Sequence, residues 1–406
     1  MGESARLRVE GHLIDSGTLS KIFDRVIHAG AGYEILDFRI GRRNAETSAA
    51  ELRVEAPSRT ILDEVLENLV DLGCRRLDGD EATFLPAPGD GVVPDDFYST
   101  TNHETAVRVG ERWLPVERQR MDSVVVLDGD RAVCAKLRDV RAGQRIAVGT
   151  TGIRVTPPDK ERDRAHFGFM TNEVSSERRV EIAVDRLAHD MEAARAAGRR
   201  VVAVAGPVVV HTGGVRAMEL LLACRAFDVI LAGNALAVHD IERALFNTSL
   251  GIDADTGEPV RDGHRNHMRA INAIRKAGGI AAAVRGGVLT RGIMHRCVVE
   301  GVPFVLAGSL RDDGPLPEVI TDMNLAQAAY AEALAGAAVV VVLSSMLHGI
   351  AVGNMIPSSV LTVCVDINPA VATKLADRGS SQALAVVTDV GAFLALLARR
   401  LGAAEV

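Results

Sequence analysis

Residues 200–214, RVVAVAGPVVVHTGG, decide the fold: an apolar strand (Val201 to Val204) runs into a Gly-Pro turn, then a polar, glycine-rich stretch that opens a helix. The strand residues do not alternate between apolar and polar, which is expected when helices cover both faces of a sheet. Six further runs of the same texture follow, at Val229 to Ala232, Ile280 to Val284, Pro303 to Ala307, Ala338 to Leu343, Val360 to Val365 and Leu384 to Val387. Helix-length amphipathic segments separate them. Seven strands alternating with helices predict an open parallel sheet. Such sheets bind ligands at the carboxyl ends of their strands, so the chemistry belongs to the residues that follow each strand.

Those residues are polar and rich in glycine. His211-Thr212-Gly213-Gly214 follows the first strand, and Gly233-Asn234-Ala235-Leu236, with His239 and Asp240 beyond, the second. Arg285-Gly286-Gly287, Gly308 to Gly314, Ser344 to Gly349, Asp366-Ile367-Asn368-Pro369 and Thr388 to Gly391 follow the other five. Glycines let backbone N–H groups approach a pyrophosphate, and a helix N-terminus favours negative charge. An Asp at a strand tip, as in VCVDINP, suits the hydroxyls of a ribose. The pattern predicts an NAD-type cofactor. The G-x-G-x-x-G fingerprint is absent, so the domain is Rossmann-like without being the usual dehydrogenase version.

Working outward, residues 1–88 read as a ferredoxin-like βαββαβ unit. Its strands fall at ARLRVEGHLI (5–14), Tyr33 to Ile40, Ala49 to Val54 and Ala82 to Leu85, and its helices at Ser16 to Ala29 and 58–72. The turn-rich PAPGDGVVPDD (86–96) leads into a small β domain over 89–158, with a hairpin expected at Asp128-Gly129, closed by Pro157-Pro158. The Rossmann-like catalytic domain then occupies 159–406. A net charge of −7 and 3% aromatic residues provide neither a basic stripe nor a stacking platform, which argues against nucleic acid as a partner. No apolar run approaches the roughly 20 residues of a membrane span. The N-terminus, MGESARLRVE, has no apolar signal core. The five cysteines are scattered and apolar in context, as in reduced, cytoplasmic proteins. A soluble, cytoplasmic homo-oligomer is the expectation.

Three other chemistries are weaker. His264 and His267 have H-x-x-H spacing without a third ligand nearby, so no metal site is expected. Ser344-Ser345 with His348 lacks the nucleophile elbow of a hydrolase. Cys297 lies on an apolar helical stripe and reads as a core thiol.

HTGG, LAGNALAVHDIERALFNTSLG, GHRNHMRAINAIR, GGVLTRGIMH, SSMLHGIAVGNMIPSSV and CVDINP resemble the archaeal-type, NAD-dependent ornithine cyclodeaminases. These also carry the lysine-oxoglutarate reductase/saccharopine dehydrogenase conserved region. The likeness extends through EGHLIDSGTLSKIFD and DDFYSTTNHETAV near the N-terminus. A fainter similarity links FMTNEVSSERR, HTGGV, GGVLTRG and VCVDINPAV to the NAD-contacting segments of deoxyhypusine synthase, which implies a deoxyhypusine synthase-like catalytic domain. The segment LPEVITDMNLAQAAYAEAL departs from that family by containing no lysine. The resemblance implies an ammonia-lyase that turns L-ornithine into L-proline and ammonia by cycling a hydride through bound NAD. It places the NAD contacts on Asn234, Ala235, Asp313, Ser345, Met346, Leu347, His348, Asp366, Asp389 and Val390. Candidates for catalysis are His348 for proton transfer, Asp312 for a substrate ammonium and Arg285 for the carboxylate, with Arg291 and Arg311 as other guanidiniums. Asn172 and Glu173 are further pocket candidates. Two alternatives stay open: another NAD-dependent amino-acid or polyamine dehydrogenase, and a non-enzymatic NAD-sensing regulator.

Overall fold

The computed structural model describes residues 3–14, 16–41, 46–77, 81–156, 176–253, 256, 258, 260, 263–312, 314–371 and 383–403. The chain divides into two units, Met1–Glu173 with Asn354–Ser359, and Val174–Gly353 with Val360–Val406.

The first unit contains two sheets. Strands β1 (Glu3–Gly11), β2 (Gly32–Arg39), β3 (Ser48–Ala56) and β4 (Arg75–Arg76) form an antiparallel sheet in the order β2-β3-β1-β4, with helices α1 (Thr18–His28) and α2 (Arg59–Val70) in the connections. That is the ferredoxin-like arrangement expected. Buried and less buried residues alternate along β3, which puts Leu52 and Val54 into a core with Leu7, Val9, Ile22, Val26, Leu62 and Leu69. The closing strand differs from the expectation. It is Arg75–Arg76, whereas β5 (Thr83–Pro86) pairs with β10 (Arg145–Val148) in the second sheet. Two arginines carry no apolar alternation, so nothing local marks them as a strand. The second sheet also holds β6 (Glu104–Val109), β7 (Arg112–Glu117), β8 (Val124–Asp128), β9 (Arg131–Ala135) and β11 (Ile153–Thr156), in the order β11-β6-β7-β9-β8-β10-β5. The hairpin expected at Asp128-Gly129 is present: Asp128 pairs with Arg131, and Gly129 takes the left-handed conformation that closes it. Pro157 and Pro158 lie outside the described residues.

The second unit is built on a parallel sheet of seven strands in the order β17-β16-β13-β12-β18-β19-β20. These are β12 (Arg200–Ala205), β13 (Val229–Gly233), β16 (Phe304–Ala307), β17 (Val319–Ile320), β18 (Ala337–Leu343), β19 (Leu361–Asp366) and β20 (Ala383–Val387). Apart from the short edge strand β17, this is the doubly wound order, with its reversal between β12 and β18. Every residue of β13, and all of β12 but its first, is buried, which accounts for the unbroken Val/Ala/Ile runs. One predicted strand is overturned: Ile280 to Val284 is helical, within α8 (Ile280–Arg285), and β17 completes the sheet instead. Three consecutive alanines favour helix. Ile280 and Ala283, three residues apart, share the buried face, and Glu318 Oε1 caps the start by accepting the Ile280 N–H at 2.5 Å.

The remaining helices are α3 (Ser176–Ala196), α4 (Val208–His211), α5 (Val215–Ala223), α6 (Asn234–Phe246), α7 (Asn266–Ala277), α9 (Ile293–Glu300), α10 (Met323–Ala333), α11 (Met346–Met355) and α12 (Val390–Arg400). Fully buried Asp240 fastens α6 to α9, its two oxygens accepting the N–H groups of Ile293 and Met294 at 2.8 Å each. Burial pushes its carboxyl up from 3.8 to about 7 despite those donors. The folded value lies above the unfolded one, so the stabilisation this group gives declines as pH rises between the two. Asp240→Ala leaves two buried N–H groups unpaired and should cost about 2–4 kcal/mol. Urea denaturation checks this, with a larger loss expected at about pH 5 than at about pH 8.

Candidate functional site

The carboxyl edge of the parallel sheet gathers most of the predicted cofactor positions. Asn234 and Ala235 open α6 directly after β13; Met346, Leu347 and His348 open α11, next to Ser345 beyond β18; Asp366 ends β19; Asp389 and Val390 open α12 after β20. These positions follow four of five adjacent strands, a span of roughly 19 Å at ordinary inter-strand spacing. Helix N-termini at β13, β18 and β20 direct free N–H groups to that edge. Asp313, Asn172 and Glu173 lie outside the described residues.

Along this edge, the tightest backbone approach at a described glycine falls at the reversal itself. A Cβ on Gly206, just past β12, would stand 2.2 Å from the Ser344 carbonyl oxygen, just past β18. Ser344 takes a φ of 47°, unusual for a residue with a side chain, and its N–H is fixed to Val365 O at 2.9 Å. The two strand tips therefore meet backbone to backbone, with no side chain between them.

His348 lies beside it. Its Nδ1 is 2.8 Å from Ser345 Oγ, and its ring covers Gly233 so closely that a Cβ there would stand 2.9 Å from Cε1. Tyr330, whose hydroxyl donates to Ala232 O at 2.7 Å, holds its ring 6.1 Å from the imidazole. Burial lowers the His348 pKa below 6.5, so the ring is neutral and able to accept a proton near neutral pH. Asp312 sits beyond β16, whose Ala307 pairs with Gly233, and lines a cavity of about 300 Å³ with Ser309, Leu310, Pro315, Thr321 and Met323. Its Oδ2 accepts the Ser309 N–H at 2.8 Å, which makes it first of all the brace of its own turn. Arg285 is exposed at the end of α8, and Arg291 donates to Ala244 O at 3.0 Å.

The two strand-tip carboxylates each spend one oxygen locally: Asp366 Oδ1 accepts from Asn368 N at 2.8 Å, and Asp389 Oδ1 from Ala392 N at 2.9 Å. Among the described residues no hydrogen bond reaches the other oxygen of either. In the usual Rossmann domain that carboxylate follows the second strand. Here the second strand ends in Gly233, and Asn234, which opens the next helix, accepts the Leu316 N–H on Oδ1 at 3.2 Å, so the strand-tip carboxylates stand on the other half of the sheet. Large apolar side chains stand exposed along the same edge, Leu310, Met346, Leu347, Ile367 and Val387 among them, as surface that a bound dinucleotide would cover. Cys297 is buried in the core and its thiol is pushed up by burial. No group of three potential metal ligands occurs among the described residues.

A doubly wound parallel sheet with polar, glycine-rich strand tips along its carboxyl edge defines a protein of the Rossmann class. Residues 185–397 match the family model of the Rossmann fold in ArgZ-like arginine dihydrolase C-termini, 104–184 that of the first region of the same C-termini, and 4–103 the LOR/SDH bifunctional enzyme conserved region. The chain belongs to this ArgZ-like, LOR/SDH-region family. It is 45% identical to the ornithine cyclodeaminase of Methanococcus maripaludis, over 97% of each chain. It is 47% identical to the bifunctional arginine dihydrolase/ornithine cyclodeaminase AgrE of Nostoc, covering 98% of this chain and 58% of AgrE. A crystal structure of AgrE in a ternary complex with ornithine and NAD+ aligns with 99% of this chain and 58% of that one, at a TM-score of 0.54 and 46% identity. The chain therefore spans little more than half the length of the bifunctional relatives.

Proposed function

We propose that the protein is an ornithine cyclodeaminase that converts L-ornithine to L-proline and ammonia on a tightly held NAD. The observation that carries this is the match over 97% of each chain to a protein named for that activity, supported by a doubly wound sheet of the Rossmann type. NAD bound there supplies a hydride acceptor for the α-carbon and then returns the hydride to the cyclic imine, so no net oxidation occurs.

The chain's own residues have to bind, orient and move protons. Asn234, Ala235, Ser345 to His348, Asp366, Asp389, Val390 and Asp313 are the proposed cofactor contacts, the first nine through strand-tip N–H groups and side chains. His348, neutral and braced by Ser345, serves the substrate's δ-amine as proton acceptor. Asp312 offers its remaining lone pairs to an ammonium, and Arg285 is the candidate guanidinium for the carboxylate.

Incubating the purified protein with L-ornithine and NAD+ while following proline, ammonia and NADH absorbance tests the proposal. Proline and ammonia should appear in equal amounts with no accumulating NADH. NADH accumulating without proline would replace the reading with an ordinary dehydrogenase. Absence of all three with NAD bound would remove ornithine as substrate.

A further inference from the structure

Glu242 is a fully buried carboxylate to which the reaction above assigns nothing. It lies on α6 and is gripped on both oxygens. Oε1 accepts from Thr248 Oγ1 at 2.9 Å and the Gly251 N–H at 3.2 Å; Oε2 accepts from the Leu250 N–H at 3.3 Å and stands 3.2 Å from His239 Nδ1. Asn266 Nδ2 donates in turn to Thr248 Oγ1 at 3.0 Å, which points the hydroxyl hydrogen at the carboxylate. The loop that brings the two N–H groups is bent at a cost: Asn247 and Leu250 have φ of 52° and 53°, a conformation that a leucine seldom adopts. Strain of that kind persists only where surrounding contacts over-determine it, and it gathers at functional sites.

Burial pushes Glu242 up, but the hydrogen bonds from His239, Gly251 and Thr248 outweigh it and leave the carboxyl below its ordinary range. An ionised Oε2 accepts only, so the proton between it and His239 belongs to Nδ1. Nε2 then carries a lone pair, and no described residue hydrogen-bonds it. The His239 side chain keeps 14% of its surface accessible. Its neighbour is His211, at the end of α4 beyond β12, with ring centroids 5.0 Å apart and Nδ1 2.5 Å from Ser249 Oγ. Burial first, and His239 second, hold His211 below its ordinary pKa. Arg243, also on α6, is tied to Val210 O at 2.9 Å, and Arg269 on α7 to Asn266 Oδ1 at 3.3 Å. Among the described residues, Glu242 and His211 are the titratable groups set against this imidazole, and the carboxylate is the one within hydrogen-bond reach of it, while Arg243 and Arg269 are engaged elsewhere.

A carboxylate that fixes the tautomer of a histidine whose other nitrogen is open is the arrangement of a general base with its orienter. Ornithine presents two amines, and His348 accounts for one. We propose that His239 transfers protons to and from the substrate's α-nitrogen, with Glu242 as its positioning residue; this rests on the ornithine reading. Nε2 takes a proton from the α-ammonium, giving an imidazolium paired with Glu242. The freed lone pair forms the C=N bond as the hydride leaves the α-carbon for the oxidised dinucleotide. After the δ-amine has attacked that carbon, the imidazolium returns its proton to the α-nitrogen as the C–N bond breaks, and ammonia departs.

Nitrogen-15 NMR of histidine-labelled full-length protein tests the dyad without relying on turnover. His239 should show the Nδ1–H tautomer, and L-ornithine with NAD+ should shift its Nε2 resonance. Glu242→Gln should mix the two His239 tautomers, because an amide can donate to Nδ1 as well as accept from it, whereas a merely structural Glu242 would leave the Nδ1–H signal in place. His239→Gln should lower kcat by about 10²-fold or more, with NAD affinity retained. An Nε2–H tautomer, an Nε2 signal indifferent to L-ornithine, or a folded His239→Gln protein with unchanged kcat would each overturn the proposal. If the wild type turns over no ornithine, the ornithine reading fails by itself, and the Nε2 response still decides whether His239 faces an amine. Should Glu242→Gln not fold, the tautomer and the ligand response are read on the wild type alone.

Discussion

Gly206→Ala is expected to weaken NAD binding by about tenfold to a hundredfold, equivalent to roughly 1.4–2.7 kcal/mol. The added Cβ would be 2.2 Å from the Ser344 carbonyl oxygen and 2.9 Å from its carbon, and these are backbone atoms that no rotamer change can remove. Ser344 has no room to retreat, being held to Val365 O at 2.9 Å, while Gly206 itself is held to Leu343 O at 2.9 Å. The tips of β12 and β18 must therefore part, at the one place in the sheet where the chain reverses direction of travel. Overpacking of this kind costs about 1–3 kcal/mol, so a lower melting temperature should accompany the weaker binding. Gly353→Ala is the control. It lies within α11 and a Cβ there meets nothing within 4 Å, so neither NAD affinity nor melting should suffer. Calorimetric titration with NAD+ decides: an affinity for Gly206→Ala within about threefold of wild type would mean that the reversal does not seat the cofactor.

Much of the sheet was legible because burial on both faces leaves an unmistakable residue signature. Val201 to Ala205 and Val229 to Ala232 are entirely buried and entirely apolar, so strand and sequence run coincide. Ile280 to Val284 has the same composition over the same length, and only its surroundings make it a helix. The Glu318 cap that starts it lies 38 positions away in sequence, beyond reach of any local pattern. Thr83–Pro86 failed for a related reason: its identity as a strand was readable, but its partner Arg145–Val148 was not. Strand pairing is a long-range property, and alternation only says which face is buried.

At the site, positions were more legible than partners. Strand-tip residues could be named because ligands bind where parallel strands end. His239 was named among the residues beyond the second strand, but Glu242, three positions on and on the same helix face, was not. What could not be seen was the loop that closes on Glu242. Leucine has no preference for the left-handed conformation that Leu250 adopts, so only the folded chain reveals that two backbone N–H groups converge there. Without those donors, a buried glutamate on a helix reads as an anomaly or an ion-pair partner; with them it is an ionised anchor for an imidazole. The same holds for Asp312, whose carboxylate looks free in sequence and is half committed to Ser309 in the fold.

His348→Ala is expected to lower kcat by about 10²- to 10⁴-fold, the usual contribution of a positioned proton acceptor, while NAD affinity changes little because the cofactor contact proposed for this residue is its backbone N–H, which alanine keeps. The ring is clamped from two sides, by Ser345 Oγ at 2.8 Å from Nδ1 and by the Gly233 backbone beneath Cε1. Burial holds it below 6.5, so it stays neutral, and competent as a base, to lower pH than a free histidine would. The folded value is depressed, and the stability linked to it is accordingly present above 6.5 and lost as pH falls through the folded pKa. The acid limb of kcat should then lie below 6.5 in the wild type. Gly233→Ala supplies the sharper test because it leaves the imidazole in the protein and moves it: the new Cβ would stand 2.9 Å from Cε1 and drive the ring off its seat. If His348 works by position, Gly233→Ala should lose turnover almost as His348→Ala does, and stopped-flow measurement of a single turnover with L-ornithine would register it. Loss of NAD binding in His348→Ala would instead make the ring a floor for the cofactor, with the δ-amine's proton acceptor to be sought at Asp312.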